Sequence, residues 1–124
     1  MLEFDVEFYH LENGQEPAKD FILALDNPKM KAKVLRMIDM LSKNGTRLRE
    51  PYSSPLGDGI YELRIKQSSN ISRVLYFFYV EGKIILTNGF LKKTQKTPPT
   101  EIAKAKKYRM DFLQRKEVGT YDKV

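Results

Sequence analysis

Four charged residues in the middle of the chain could bind a phosphate and act on it: Glu62, Arg64, Arg73 and Lys92. A guanidinium group stays charged at physiological pH, and its planar fork matches two phosphate oxygens. A carboxylate or a lysine can transfer protons when its pKa is suitably shifted. Brought together, these residue types would suit the binding and cleavage of a phosphodiester.

The first predicted β-hairpin places the two arginines side by side. Strands are predicted at about 60–66 and 71–80, and the short connection 67–70 fits a hairpin loop. That loop puts Arg64 directly opposite Arg73. Two guanidinium groups in these positions repel each other. We therefore expect an anion, with phosphate the obvious candidate, to bridge them, although pairing with a nearby carboxylate is the simpler alternative.

Side-chain alternation divides the first of these strands into two faces. One set is apolar and should pack against helices; it comprises Tyr61, Leu63 and Ile65. The other set should form an open face that Arg73 joins; it comprises Ile60, Glu62, Arg64 and Lys66. The sequence therefore predicts a charged, open patch on one side of the sheet.

The second predicted hairpin extends this patch to the last strand, at about 83–91. With a two-residue turn at 81–82, Arg73 lies opposite Phe90, and Lys92 follows on the same face. A bulge in this turn would shift the pairing by one residue. The predicted cluster therefore depends on the geometry of one short turn.

Further lysines accompany the chain where it leaves the sheet, and they could hold a nucleic-acid backbone. An aromatic ring beside them could stack on a base. The lysines are Lys92, Lys93 and Lys96, and the ring is that of Phe90 or of a nearby tyrosine.

The elements that must position these residues begin with a strand and two helices. Residues 1–9 alternate apolar with acidic side chains, which predicts a half-buried strand. One helix is opened by Pro17, and the next is capped by Asn27 and ended by Asn44-Gly45. The stretch 46–59, rich in proline and glycine, predicts a loop.

The complete order is β-α-α-β-β-β-α, with a C-terminal helix opened by Thr97-Pro98-Pro99. This order predicts an α+β domain, in which an antiparallel sheet packs against a helical hairpin. A single domain is expected over 1–116, followed by a flexible tail at 117–124.

Charge and composition limit the classes of partner and chemistry. The net charge is +6, but residues 1–50 hold 8 basic and 9 acidic residues, while 51–124 hold 14 and 7. The basic half points to an anionic partner such as a nucleic acid. The chain has no cysteine and one histidine, so we expect no cofactor and no metal site. We see neither a signal peptide nor a membrane span, and we expect a cytoplasmic protein.

Several motifs, in this order and spacing, resemble the RelE/ParE toxin superfamily, and specifically its phage-derived HigB-like branch in type II toxin–antitoxin systems. They are Tyr61-Glu62-Leu63-Arg64, Ser72-Arg73-Val74-Leu75-Tyr76, the segment Phe90 to Pro98, and Glu101-Ile102 with Ala105.

The resemblance implies a RelE-like fold and an mRNA interferase, usually one that acts on ribosome-bound message. It implies that Arg64, Arg73 and either Lys92 or Lys93 serve cleavage. With Glu62 beside the arginines, the predicted catalytic residues are Glu62, Arg64, Arg73, Lys92 and Lys93. RNA contacts are predicted for Lys66, Phe90, Thr94 and Lys96. The resemblance further implies a cognate antitoxin, of which a HigA-like helix-turn-helix protein is the expected kind.

If the chain cleaves RNA as the resemblance implies, a reaction without a metal site is expected to use the ribose 2′-OH, which attacks the adjacent phosphate. Arg64 and Arg73 would stabilise the added charge. Glu62, or a lysine from the pair Lys92-Lys93, would transfer the protons. Two alternatives remain open: a ParE-like inhibitor of DNA gyrase, which cleaves nothing, and a non-catalytic RNA-binding module.

Overall fold

The computed structural model describes residues 3–92 and 96–122, which form a five-stranded sheet with helices on both faces. In chain order, the elements are β1 (Asp5–Phe8), α1 (Pro17–Leu23), α2 (Pro28–Asn44), β2 (Ser53–Gly57), β3 (Ile60–Gln67), β4 (Asn70–Tyr79), β5 (Lys83–Leu91) and α3 (Pro99–Glu117). The order across the sheet is β1-β5-β4-β3-β2. The predicted α+β class is confirmed.

Two features of the sheet differ from the prediction. Strand β1 runs parallel to β5, with Val6 opposite Ile84, so the sheet is mixed rather than wholly antiparallel. Strand β2 lies within 46–59, which was predicted as a loop, and it pairs with β3. Proline is tolerated in an edge strand because one side of that strand has no hydrogen-bonding neighbour. Pro55 is therefore compatible with β2, although proline in this stretch led to the prediction of a loop.

The first hairpin has the predicted register. Arg64 is paired with Arg73, and Lys66 with Ile71. Loop length and side-chain alternation were sufficient to predict this pairing because both act within a few residues.

In the second hairpin, Arg73 has the predicted partner, although the turn differs from the prediction. Tyr79 pairs with Lys83, so the turn has three residues rather than the two that were predicted. A bulge at Thr87, whose hydroxyl donates a hydrogen bond to the Leu75 carbonyl (3.1 Å), restores the register further along. Arg73 consequently faces Phe90 as predicted.

The ends of the two N-terminal helices follow the local sequence signals. Helix α1 begins at Pro17, and α2 begins at Pro28. The Asn27 side chain accepts hydrogen bonds from the backbone N–H groups of Lys29 (2.9 Å) and Met30 (3.2 Å). These bonds satisfy amides that have no partner inside the helix, which confirms the predicted cap.

One face of the sheet packs against α1 and α2, as predicted. Leu63 and Ile65 are fully buried there, and Tyr61 packs at the margin. The helices contribute an apolar stripe that comprises Ala18, Ile22, Met30, Val34, Met37 and Leu41.

The other face is not open along its length, which corrects the prediction. Helix α3 covers it and buries Ala105 and Phe112 against Ile60, Leu75 and Phe77. A helix with an apolar stripe must bury that stripe, and the apolar residues of the central strands provide the matching surface. The charged patch is therefore restricted to the end of this face beyond the reach of α3.

The C-terminal segment also packs more closely than expected. Helix α3 continues to Glu117, and Tyr121 is 3% exposed, with its ring centroid 4.6 Å from that of Phe112. The prediction of a flexible tail is therefore not borne out at Tyr121. The burial of its aromatic ring explains the difference. The domain bounds stay a prediction.

Candidate functional site

The β3–β4 ladder assembles the centre of the site. Arg64 and Arg73 are direct cross-strand neighbours, and Glu62 precedes Arg64 by two residues on the same face. Three of the predicted catalytic residues therefore lie together because the hairpin register brings them together.

Glu62 is buried, with only 2% of its surface exposed, and both of its carboxylate oxygens are engaged. Arg64 Nε donates a hydrogen bond to Oε2 at 3.0 Å. The Thr97 hydroxyl donates a short hydrogen bond to Oε1. The same oxygen lies 3.5 Å from Arg73 Nε. A carboxylate with this many donors acts as a fixed anchor for the groups around it.

Arg73 is nearly buried, but its hydrogen bonding within the protein is weak. Its Nη1 donates to the Ser72 carbonyl at a long 3.4 Å. Its Nε is within ion-pair distance of Glu62, yet the geometry forms no hydrogen bond with any residue that the structure describes. A guanidinium group has five N–H donors, and buried donors are normally satisfied. Arg73 therefore retains the capacity to bind another acceptor.

The electrostatics of Arg73 agree with this geometry. Burial lowers the pKa of its guanidinium below the ordinary value, and the charge of Arg64 lowers it further against the opposing effect of Glu62. Its charge is thus incompletely compensated by the surrounding protein. An added anion would relieve the cost of burying it.

Arg64 provides the more accessible cation of the pair. Its side chain is 31% exposed, and its Nη1 lies 4.0 Å from Glu50 Oε1 in addition to the bond to Glu62. The backbone N–H of Arg64 donates to the Tyr52 carbonyl at 2.8 Å, which ties the residue to the segment before β2. One arginine is therefore buried and the other reaches solvent.

Lys92 joins this cluster at the end of β5. Its backbone N–H donates to the Ile71 carbonyl at 2.8 Å, which extends the ladder by one residue. Burial lowers the pKa of its ammonium group, and the charge of Arg73 lowers it further. A lysine with a lowered pKa releases its proton more readily than an ordinary lysine, which is the property that proton transfer requires.

The predicted RNA-contacting residues have different environments. Lys66 is exposed and lines a cavity of about 350 Å³ together with Arg64 and Arg73. Phe90 is partly buried and packs against the core beneath α3. Lys96 is exposed. Lys93 and Thr94 lie outside the described residues, so their predicted roles stay predictions.

The sequence analysis missed Thr97 as a member of the site. Thr97 and Glu62 are separated by 35 positions, and their contact forms where the chain passes from β5 to α3. Thr97 belongs to the predicted helix start and to the motif from Phe90 to Pro98, but nothing in its local sequence signals a distant carboxylate. Glu50 was missed for the same reason.

The described residues contain neither a group of side chains for a metal ion nor a helix that could span a membrane. Within residues 3–92 and 96–122, no three histidine, aspartate or glutamate side chains are grouped so that they could hold a metal ion. The helices in those same ranges are too short or too polar to cross a bilayer.

Residues 20–110 match the model of the phage-derived Gp49-like protein family (DUF891). A search of curated proteins found no significant relative. The matched region contains α2, all of the strands β2 to β5 and most of α3, and therefore Glu62, Arg64, Arg73 and Lys92. Because the match covers more than half of its 124 residues, the chain belongs to the Gp49-like family of phage-derived proteins.

Proposed function

We propose that this protein is the toxin of a type II toxin–antitoxin system and that it acts as an endoribonuclease on messenger RNA. The observation that carries the proposal is the nearly buried Arg73, which lies beside Arg64 and lacks well-formed hydrogen bonds within the described protein. A phosphate would bridge the two guanidinium groups. Membership of the Gp49-like family, which is associated with RelE-like toxins, supports the same reading.

The proposed reaction is an in-line displacement at phosphorus. The ribose 2′-oxygen attacks the adjacent phosphate and loses its proton to a base. The bond between phosphorus and the 5′-oxygen breaks, and an acid protonates that oxygen. The products are a 2′,3′-cyclic phosphate and a 5′-hydroxyl, so the protons balance.

Arg73 and Arg64 are suited to stabilise the phosphorane. Negative charge grows on the non-bridging oxygens as the nucleophile adds, and preorganised cations stabilise that charge without reorganising. Glu62 would hold both arginines in place, since it accepts a hydrogen bond from Arg64 and lies within ion-pair distance of Arg73. We assign it positioning rather than the role of general base.

Lys92 is the residue that we propose for proton transfer. Its lowered pKa and its position beside Arg73 favour this role over that of a simple phosphate contact. Lys93 keeps its predicted role as a second candidate. RNA contacts from Lys66, Phe90, Thr94 and Lys96 belong to the same proposal.

The proposal includes two partners. One is the ribosome, on which translated message would be cleaved in the cytoplasm. The other is an antitoxin, for which the HigB-like resemblance suggests a HigA-like helix-turn-helix protein. Neutralisation could occur by acidic side chains placed over the basic cluster.

The test is inducible expression of the wild type, of Arg73→Ala and of Arg36→Ala in bacterial cells. Arg36 is an exposed arginine of α2 outside the site and serves as the matched control. Growth and the 5′ ends of messages are followed, and folding is checked by circular dichroism. Purified proteins are assayed on RNA with and without ribosomes.

We expect growth arrest and new message ends with the wild type and with Arg36→Ala, and neither with folded Arg73→Ala. Arrest with intact message and damaged DNA would replace the proposal with gyrase inhibition. RNA binding without cleavage or arrest would replace it with a binding module.

A further inference from the structure

A cavity lies beside the arginine pair, and its walls combine apolar and cationic side chains. Its volume is about 350 Å³, and both Arg64 and Arg73 contribute to its lining. It is bounded by α2, by the segment that precedes β2 and by the β3–β4 hairpin. This volume is at the small end of ligand pockets, which span about 300–1,000 Å³, so the cavity has room for a small ligand only.

The chemistry of the lining combines apolar surface with positive charge. Met37 and Ile71 provide apolar contact, and Lys33 and Lys66 add two cations to those of the arginines. Of the described residues that line the cavity, none is acidic. An apolar slot with a cationic rim is complementary to a ligand that has a flat ring and phosphate groups.

Tyr52 provides an aromatic ring at the margin of this cavity. It lines the cavity and remains 45% exposed. Its carbonyl accepts the hydrogen bond from the Arg64 backbone N–H, so the backbone of Tyr52 is held next to the arginine that would bind phosphate. Exposed aromatic rings beside phosphate-binding cations are the usual stacking surfaces for unpaired bases.

We propose that this cavity binds one nucleobase of the RNA, next to the phosphate held by Arg64 and Arg73. The base stacks on Tyr52, and its edge contacts Met37. Lys33 and Lys66 contact the flanking phosphates. This inference rests on the proposed function, which identifies the polymer as RNA. Binding of a base in the cavity can nevertheless be tested without cleavage.

The first test is binding of a deoxyribonucleoside 3′,5′-bisphosphate, which has no 2′-OH and cannot react. Methyl-labelled methionines report the location, since Met37 lines the cavity and Met110 is 70% exposed on α3. We expect the Met37 methyl resonance to shift while that of Met110 does not. Inorganic phosphate should leave Met37 nearly unchanged, because it lacks the base.

Two variants measure the contribution of the ring. Tyr52→Ala should weaken binding roughly 5- to 100-fold, as expected for loss of one base-stacking contact. Tyr52→Phe keeps the ring and should bind like the wild type. No shift at Met37, an equal shift with inorganic phosphate, or unchanged affinity in Tyr52→Ala would each overturn the proposal.

Cleavage maps separate this proposal from the proposed function. If the wild type cleaves RNA, Tyr52→Ala should change the base preference beside the cut, whereas Met110→Ala should not. Cleavage with the same rate and preference in Tyr52→Ala would reject the base site and leave the ribonuclease intact. No cleavage by the wild type, together with Tyr52-dependent shifts at Met37, would reject the ribonuclease and retain the base site.

Discussion

Arg73 and Arg115 are two buried arginines with opposite surroundings. They are 8% and 6% exposed, so the cost of removing each guanidinium from water is similar. Arg73 lies at the end of the sheet in the candidate site. Arg115 lies in the last turns of α3. They differ in the acceptors and opposite charges that the protein places around each guanidinium group.

Arg115 is satisfied by the protein itself. Its Nε donates to Asp111 Oδ2 at 2.9 Å, and its Nη2 lies 2.7 Å from the same oxygen. Nη2 also donates a short hydrogen bond to the His10 carbonyl. The guanidinium lies over the ring of Tyr121, 4.6 Å from its centroid. The fold thus supplies a carboxylate, a carbonyl and an aromatic face to one cation.

The pKa shifts of the two arginines express this contrast. Burial lowers the pKa of both, but hydrogen bonds with Asp111 and Tyr9 more than offset it for Arg115 and raise its pKa. For Arg73 burial prevails, and its pKa is lowered. A cation that the fold leaves poorly compensated is a candidate for binding a ligand, whereas a fully paired cation stabilises the fold.

The largest expected effect is loss of activity in Arg73→Met. Removing a preorganised donor to the phosphorane should lower kcat/KM by about 10²–10³. The free energy of unfolding should stay equal or rise, because Glu62 keeps its bonds to Arg64 and Thr97 and a poorly compensated charge is gone. Chemical denaturation and RNA cleavage assays measure the two quantities. A large loss of stability in this variant would make Arg73 a structural residue and remove the contrast with Arg115.

The second effect is loss of stability in Arg115→Met. It deprives Asp111 of its charged partner and the His10 carbonyl of a donor, so the free energy of unfolding should fall by about 1.5–3 kcal/mol. Because the Asp111 side chain is 34% exposed, water partly solvates the remaining carboxylate, and we expect the lower half of that range. Cleavage per folded molecule should not change.

The matched control for this prediction is Lys107→Met, which removes an exposed cation from the same helix. Its unfolding free energy should stay within about 0.5 kcal/mol of the wild type. If Arg115→Met were as stable as this control, the network around Arg115 would contribute nothing to the fold.

The smallest expected effect is a pH-dependent change in the free energy of unfolding in Lys92→Met. The pKa of Lys92 is lowered in the folded state, so the unfolded chain binds more protons than the folded one between the lowered pKa and the ordinary value. Stability contributed by this group therefore rises with pH across that window. Lys92→Met should be slightly more stable than the wild type at neutral pH, and the gain should vanish as the pH approaches about 10.5.

The same residue gives a kinetic test. A titrating Lys92 should produce one limb of the pH profile of kcat/KM, at a pH below the ordinary lysine value. Lys92→Arg keeps the charge but does not titrate in this range, so it should lack that limb. A fall in rate with rising pH would identify Lys92 as the acid, and a rise would identify it as the base. A profile shared by both proteins would exclude Lys92 from proton transfer.

Much of the fold could be predicted from local patterns. Alternation and apolar runs identified every strand except β2, Asn27 and the prolines marked the helix starts, and a short connection fixed the pairing of Arg64 with Arg73. The second hairpin shows the limit of this approach. Its turn length was predicted incorrectly, and Arg73 nevertheless faces Phe90 because a bulge at Thr87 compensates.

The candidate site could be predicted only in part. Glu62, Arg64, Arg73 and Lys92 were identified from charge, spacing and family resemblance, and the structure brings them together. Thr97 was not identified as a member of the site, because its contact with Glu62 spans 35 positions. Nor could the sequence show that α3 covers most of the face on which these residues lie.

Apart from the edge strand β2, the sequence by itself determined the elements and their order, because these depend on conformational preferences and alternation over a few neighbouring residues. It also determined the identities of the charges. Only the tertiary structure decided which groups surround each charged side chain. Arg115 bonds to a carbonyl 105 positions away, whereas Arg73 lies beside Glu62 in a geometry that leaves it capacity for a ligand. Both are arginines flanked by unremarkable neighbours, and their difference arises from long-range packing, which sets distance and burial and thereby the electrostatic environment.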